Sequence, residues 1–220
     1  MDYQEKFIET VKGRTAVYLD VANLERCVQK MYVNPKDVPD ALQSVTASDL
    51  CWRVNYESLK DFFEKNTDFV GIRFYSPAFE TENHKNFLLL LKRKLKFKLR
   101  TKPLKEYSDH SDEHPNRKAN FDVEIAVDAV DRQENFDTFI LFSGDCDFAY
   151  LINYLRGKGK RVIVFSRSGH VAKELPPASN RYFDIIDFRF HFLKITLKKA
   201  KESAKKPILA IDRRQSHDYP

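Results

Sequence analysis

Apolar residues follow two rhythms that alternate along this chain. Short, nearly unbroken apolar runs at 15–19, 69–75, 138–142, 161–165 and 182–186, with a basic one at 97–102, have the length and filling of buried strands. Between them, apolar positions recur three or four apart. Residues 23–31 put Leu24, Cys27, Val28 and Met31 on one helical face, and 56–65 do the same with Leu59, Phe62 and Phe63. Further helices are predicted at 82–94, 121–130 and 148–156, the last stopped by Gly157 and Gly159. A short helix is expected at 170–175 before Pro176 and Pro177, a frayed or helical lead-in over 1–13, and one more helix after 190. Residues 32–50 carry Pro, Asp, Ser and Thr without periodicity and read as a loop or insertion, and 103–117 as a polar, mobile connection.

Strands that are apolar on both faces and alternate with helices predict an α/β fold, a doubly wound, mainly parallel sheet with helices on both sides. In such sheets functional groups gather beyond the carboxyl ends of the strands, near the point where strand order reverses. The sequence divides into one domain over 1–188, with its core from about 14, and a basic extension over 189–220, a helix and then a frayed tail.

The carboxylates follow that rule. The run AVYLD ends at Asp20, and FILFSGDCDF carries Asp145 and Asp147 just past another strand. Asp122 opens the helix in NFDVEIAVDAV. Each has a plain structural use: Asp20 could start a turn, Asn23 or Asp147 could cap a helix, and Asp122 could complement a helix dipole. Their coincidence at strand ends and helix starts is what points to a site. Carboxylates held together need a cation or a proton. Mg2+ or Mn2+ suits oxygen donors, activates water and offsets charge on a phosphodiester. Six residues separate Asp122 from Asp128, about 240° around a helix, so Asp122 is the better ligand and Asp128 is solvent-facing or supports the site from behind. Glu124, Asp128 and Asp131 share one face, and Val123, Val127 and Val130 another.

Charge narrows the partner. The 220 residues carry a net charge of +6, with a pI near 9.1, a hint of a polyanion. Between 92 and 105 the chain reads KRKLKFKLRTKPLK, with eight basic residues and no acid. That run is either a solvated face, with Phe97 in the core, or a phosphate-tracking surface. Lys118, just before Asp122, is a candidate phosphate contact. The three cysteines, Cys27, Cys51 and Cys146, form no C-x-x-C pair, which argues against a disulfide framework or zinc ribbon and for buried free thiols. His110 and His114 sit in a polar stretch and read as solvated. No apolar run reaches the roughly 18–20 residues of a membrane span, and no signal-peptide core is seen at the N-terminus; a cytoplasmic protein is expected.

The segments VYLDVANL, KANFDVEIAVDAV and LFSGDCDFAYLINYLRGKGKRVIVF, in that order, resemble the NYN-domain family of PIN-like nucleases. The most specific part is SGD-x-DF after an apolar strand, followed by a helix and a Gly-Lys turn. The resemblance covers about 14–187. It implies a Rossmann-like, PIN-related sheet and a metal-dependent ribonuclease, placed among RNA endonucleases. It maps the catalytic and metal-binding acids onto Asp20, Asp122, Asp145 and Asp147, with Asn23 and Ser143 at polar positions beside them and Asp128 at a common acidic position. The stretch 32–55 is longer than that pattern expects, and the basic tail lies outside it. The expected partner is RNA, and a homodimer is compatible with the sequence. Rival readings are an RNA-binding module of the same fold that does not cut, and a metal-dependent phosphatase. The first strand lacks the D-x-D of haloacid dehalogenase-like phosphatases, and no nucleotide-cradling glycine loop is present.

Overall fold

The computed structural model describes residues 2–103, 105–107 and 116–198. Its elements run α1 (Tyr3–Thr10), β1 (Arg14–Asp20), α2 (Val21–Gln29), β2 (Leu50–Val54), α3 (Tyr56–Asn66), β3 (Asp68–Ala78), α4 (Glu82–Arg93), β4 (Lys98–Pro103), β5 (Lys105–Tyr107), β6 (Asn116–Lys118), α5 (Asp122–Asp131), β7 (Thr138–Phe142), α6 (Ala149–Gly157), β8 (Arg161–Ser166), α7 (Leu175–Ala178), β9 (Arg181–Asp184), α8 (Arg189–Phe192) and β10 (Leu193–Leu197).

Six strands form one sheet in the order β4-β3-β1-β7-β8-β9, and every neighbouring pair is parallel. The chain winds outward from β1 through β3 to β4, then returns to lay β7 on the other side of β1. The switch point of this doubly wound sheet therefore lies between β1 and β7.

Strand alternation sorts the core into two layers. Val17, Leu19, Ile140, Phe142, Ile163 and Phe165 pack on one side, against residues of α1 to α4 and α8. Ala16, Tyr18, Phe139, Leu141, Val162 and Val164 pack on the other, against α5 and α6. Because both faces are covered, these strands read as continuous apolar runs. The first layer is strongly aromatic. Phe142 and Phe165 stack at 4.8 Å, Phe165 and Phe188 meet edge to face at 5.1 Å, and Phe188 and Phe192 stack at 5.3 Å. Truncating one such buried Phe to Ala costs about 3–5 kcal/mol.

The six sheet strands and the main helices lie where the sequence pattern puts them. Three local expectations are corrected. The stretch from 32 contains three short 3-10 turns, at Pro35–Asp37, Asp40–Leu42 and Ala47–Asp49, and leads into a strand, β2, that the periodicity did not reveal. The tail after 190 does not begin with a full helix. Four residues of α8 lead into β10, which pairs antiparallel with β2. Phe192, Leu193 and Ile195 are buried in the first core layer, so the start of the stretch read as an extension is packed into the core. Each strand of this ribbon finds its hydrogen-bond partners in a segment some 140 residues away, a pairing no local window contains. The short helix before Pro176-Pro177 instead includes both prolines, at its first turn, where a missing N–H removes no helical bond. Residues 199–220 and the pair His110 and His114 lie outside the described residues. Among the described residues, no helix is long and apolar enough to cross a membrane.

Candidate active site at the switch point

Register brings the first two groups together. Leu19 pairs with Phe142 across β1 and β7, so the next residues, Asp20 and Ser143, lie side by side. By alternation both follow Tyr18 and Leu141 onto the α5 face of the sheet. Ser143 is buried, and its hydroxyl donates to Asp20 Oδ2 at 3.0 Å. Asp20 Oδ1 accepts the Asn23 N–H at 3.2 Å, capping α2. The Asn23 side chain reaches across the switch point, its Oδ1 accepting the Gly144 N–H at 3.0 Å. Ser143 Oγ accepts the Asp145 N–H, and Asp145 in turn accepts the Asp147 N–H, both at 3.2 Å. Six residues thus lock the end of β1 to the loop after β7.

Gly144 is needed in that loop for space. A Cβ there would lie 2.1 Å from the His170 carbonyl oxygen, well inside contact distance. The Gly144 carbonyl accepts the Ala172 N–H at 2.9 Å, so the 167–172 segment braces the acidic loop from behind.

Asp122 enters from the opposite side at the start of α5. Its N–H is held by Asn120 Oδ1 at 3.2 Å, a turn that sequence reasoning missed although the N-x-D spelling before a helix is its signal. Asp20, Asp122 and Asp145 line one open cleft of about 350 Å3, with Asn23, Asn120 and Arg26. In the sequence Arg26 is one basic residue among many, with no motif to mark it. Asp147 sits at the edge of the cleft. One oxygen each from Asp145 and Asp147 and the Cys146 sulfur lie within 4.8 Å of one another. Cys146 is exposed, against the expectation of buried thiols, whereas Cys27 and Cys51 are buried.

The electrostatics follow from the crowding. Burial pushes the Asp20 carboxyl up to about 6; the Asn23 N–H and Ser143 pull it back, while Asp122 and Asp145 push it further. Asp122 is also raised, first by burial, with Asp145, Asp147 and Glu124 adding repulsion against the pull of Asn120. Oxygen donors from three segments, with Asp122 and Asp145 both raising the proton affinity of Asp20, suit a hard divalent cation, which removes the repulsion.

Two sequence candidates are not in this cluster. Asp128, six residues along α5, is buried rather than solvent-facing. It accepts from Tyr75 Oη at 2.8 Å and from Arg100 at 3.1 and 3.2 Å, with Arg73 at 3.5 Å. Burial opposes its charge, but Arg100, Tyr75 and Arg73 hold its carboxyl below the usual range. The valine face of α5 turns outward instead: Val123 is 73% exposed and Val127 61%. Lys118 lies in β6 opposite Lys105, and its side chain falls outside the described residues. In the basic run, Phe97 is buried while Lys92, Lys94, Lys96 and Lys98 are exposed.

A parallel, doubly wound sheet with acidic groups at its switch point is the arrangement of a PIN-like nuclease domain. The chain belongs to the NYN-domain family, whose model matches residues 14–187. It is 43% identical over 98 residues to the low amplitude and bright protein LabA of Synechococcus elongatus. That match covers 43% of this chain and 52% of LabA, so the chain spans about half the length of this curated relative. A crystal structure of a Vibrio parahaemolyticus protein of unknown function superposes with a TM-score of 0.60 at 21% identity, covering 83% of this chain and 97% of that one. It supports the fold.

Proposed function

We propose that this protein is a metal-dependent ribonuclease that hydrolyses phosphodiester bonds in RNA at the cleft between β1, α5 and β7. The observation that carries the reading is the meeting of Asp20, Asp122 and Asp145, from three remote segments, around one cleft at the switch point. Mg2+ or Mn2+ bound there would activate a water for attack and offset charge on the phosphate. The three aspartates, with Asp147 at the edge, supply the oxygens that hold it. Ser143 and Asn23 orient Asp20 and the acidic loop. Arg26, exposed in the same cleft, supplies a charge-assisted contact to a substrate phosphate. The exposed lysines at 92–98 attract the polyanion from further away.

Incubation of a fluorescent single-stranded RNA with Mn2+, Mg2+ or EDTA, beside an Asp145→Asn variant, tests this directly. Cleavage that requires the metal and falls at least 100-fold in the variant is expected. Metal-independent cleavage, or full activity in Asp145→Asn, would refute the assignment. RNA bound but never cut would favour the non-cutting RNA-binding module.

A further inference from the structure

Beside Asp147, on the outer side of α5 and α6, lies an open groove of about 530 Å3. Val127 and Val130 of α5 form one wall, Tyr150 and Tyr154 of α6 the other, and Asp131 and Asp147 stand at its rim. Its apolar groups are unusually bare: Tyr150 is 83% exposed. The Lys158 ammonium lies 5.5 Å from the centre of the Tyr154 ring. Tyr150 and Tyr154 are four residues apart on one side of α6, with a rise of about 6 Å, and Lys158, the residue that caps the end of α6, continues the stripe.

We propose that this groove is a base-binding subsite, in which a nucleobase of single-stranded RNA next to the scissile phosphate stacks on Tyr150 and Tyr154 while the following phosphate turns toward Lys158. The proposal rests on the ribonuclease reading and extends it to how the strand is held. The groove adjoins the candidate active site: Asp147 lines the groove, and one of its oxygens lies within 4.8 Å of an oxygen of Asp145, which lines the cleft. Its charges select the part of the strand. Two rim carboxylates repel phosphate but accept N–H groups of a base, apolar walls and tyrosine rings suit a flat uncharged heterocycle, and the Lys158 cation stands beyond Tyr154, at the far end of the stripe. Its volume is that of a small-molecule site.

The test is binding in EDTA, where no cleavage complicates the readout. Fluorescence anisotropy compares a labelled ten-residue oligouridylate with a ribose-phosphate chain of the same length lacking bases. The wild type should prefer the strand with bases. Tyr150→Ala should weaken oligouridylate binding roughly tenfold, in line with loss of one stacked base, and leave the baseless strand unaffected; Tyr150→Trp should retain binding. Circular dichroism and Tm should stay unchanged, because Tyr150 is a surface residue. An oligouridylate affinity unaltered by Tyr150→Ala overturns the subsite, as does equal wild-type binding of both strands; in either case the nuclease reading stands. Wild type that binds neither strand and cuts no RNA removes that reading itself. A wild-type dimer in light scattering that Tyr150→Ala splits, with RNA affinity unaltered, makes the groove an interface between copies and overturns the subsite.

Discussion

Asp20 carries three duties at once: it ends β1, caps α2 and faces the cleft. Its surroundings stabilise the protonated form, since the folded carboxyl is pushed up to about 6 from an ordinary value of 3.8. The folded state then binds this proton more tightly than the unfolded chain does. Stability falls as pH rises from about 4 to about 6, by roughly 2–3 kcal/mol in total. On the metal-dependent reading, a divalent cation would take over from the proton above that range. In EDTA, Tm should drop between pH 5.0 and pH 7.5 by more in the wild type than in Asp20→Asn, and Mn2+ should raise the wild-type Tm more at pH 7.5 than at pH 5.0. Parallel Tm profiles for the two proteins in EDTA would rule out Asp20 as the source.

Among the elements, α5 matters most for the site, and its orientation is set jointly by the buried apolar row Phe121, Ile125 and Ala129 and by the buried charge of Asp128 beside it. Asp128 fastens the helix to Arg73 and Tyr75 of β3 and Arg100 of β4, and the Tyr18 hydroxyl donates to the Asp128 carbonyl at 3.2 Å. This holds Asp122, at the head of the same helix, over the cleft. Asp128→Ala would leave the mostly buried Arg73 without its carboxylate, a loss of about 3 kcal/mol. Glu124→Gln, which breaks the half-exposed pair with Lys102, should cost under about 1 kcal/mol. Urea unfolding of the two variants checks the contrast; equal midpoints would mean the buried pair does not anchor the helix.

At the scale of the whole molecule, the ribbon of β2 and β10 ties the far end of the described chain to its first third. A chain ended at 188 loses β10 and with it buried Phe192, Leu193 and Ile195. It should be aggregated or unfolded at 25 °C. One ended at 198 keeps the ribbon and should melt within a few degrees of the full chain. Calorimetry and soluble yield of the two truncations decide the matter, and a cooperative, native-like transition in the shorter one would show the ribbon to be dispensable. The net charge of +6 belongs to this scale as well, since it sets the attraction of the whole surface for a polyanion and its weakening by salt.

The sequence by itself determined the parallel sheet, its six strands, the main helices and the strand ends and helix start at which Asp20, Asp145 and Asp122 stand. Those features are written in local periodicity and in turn and capping residues, which a short window contains. Tertiary structure decided what depends on partners remote in sequence. It paired β2 with β10, because neither strand has its hydrogen-bond partner nearby. It turned Asp128 inward and Val127 outward, because Ile125 and Ala129 supply the apolar contact of the helix while two arginines and a tyrosine from β3 and β4 receive the carboxylate beside them. It bared Cys146 and drew Arg26 and Asn120 to the cleft. It also made Gly144 irreplaceable, because the space a side chain would need there is filled by a carbonyl 26 residues further along the chain.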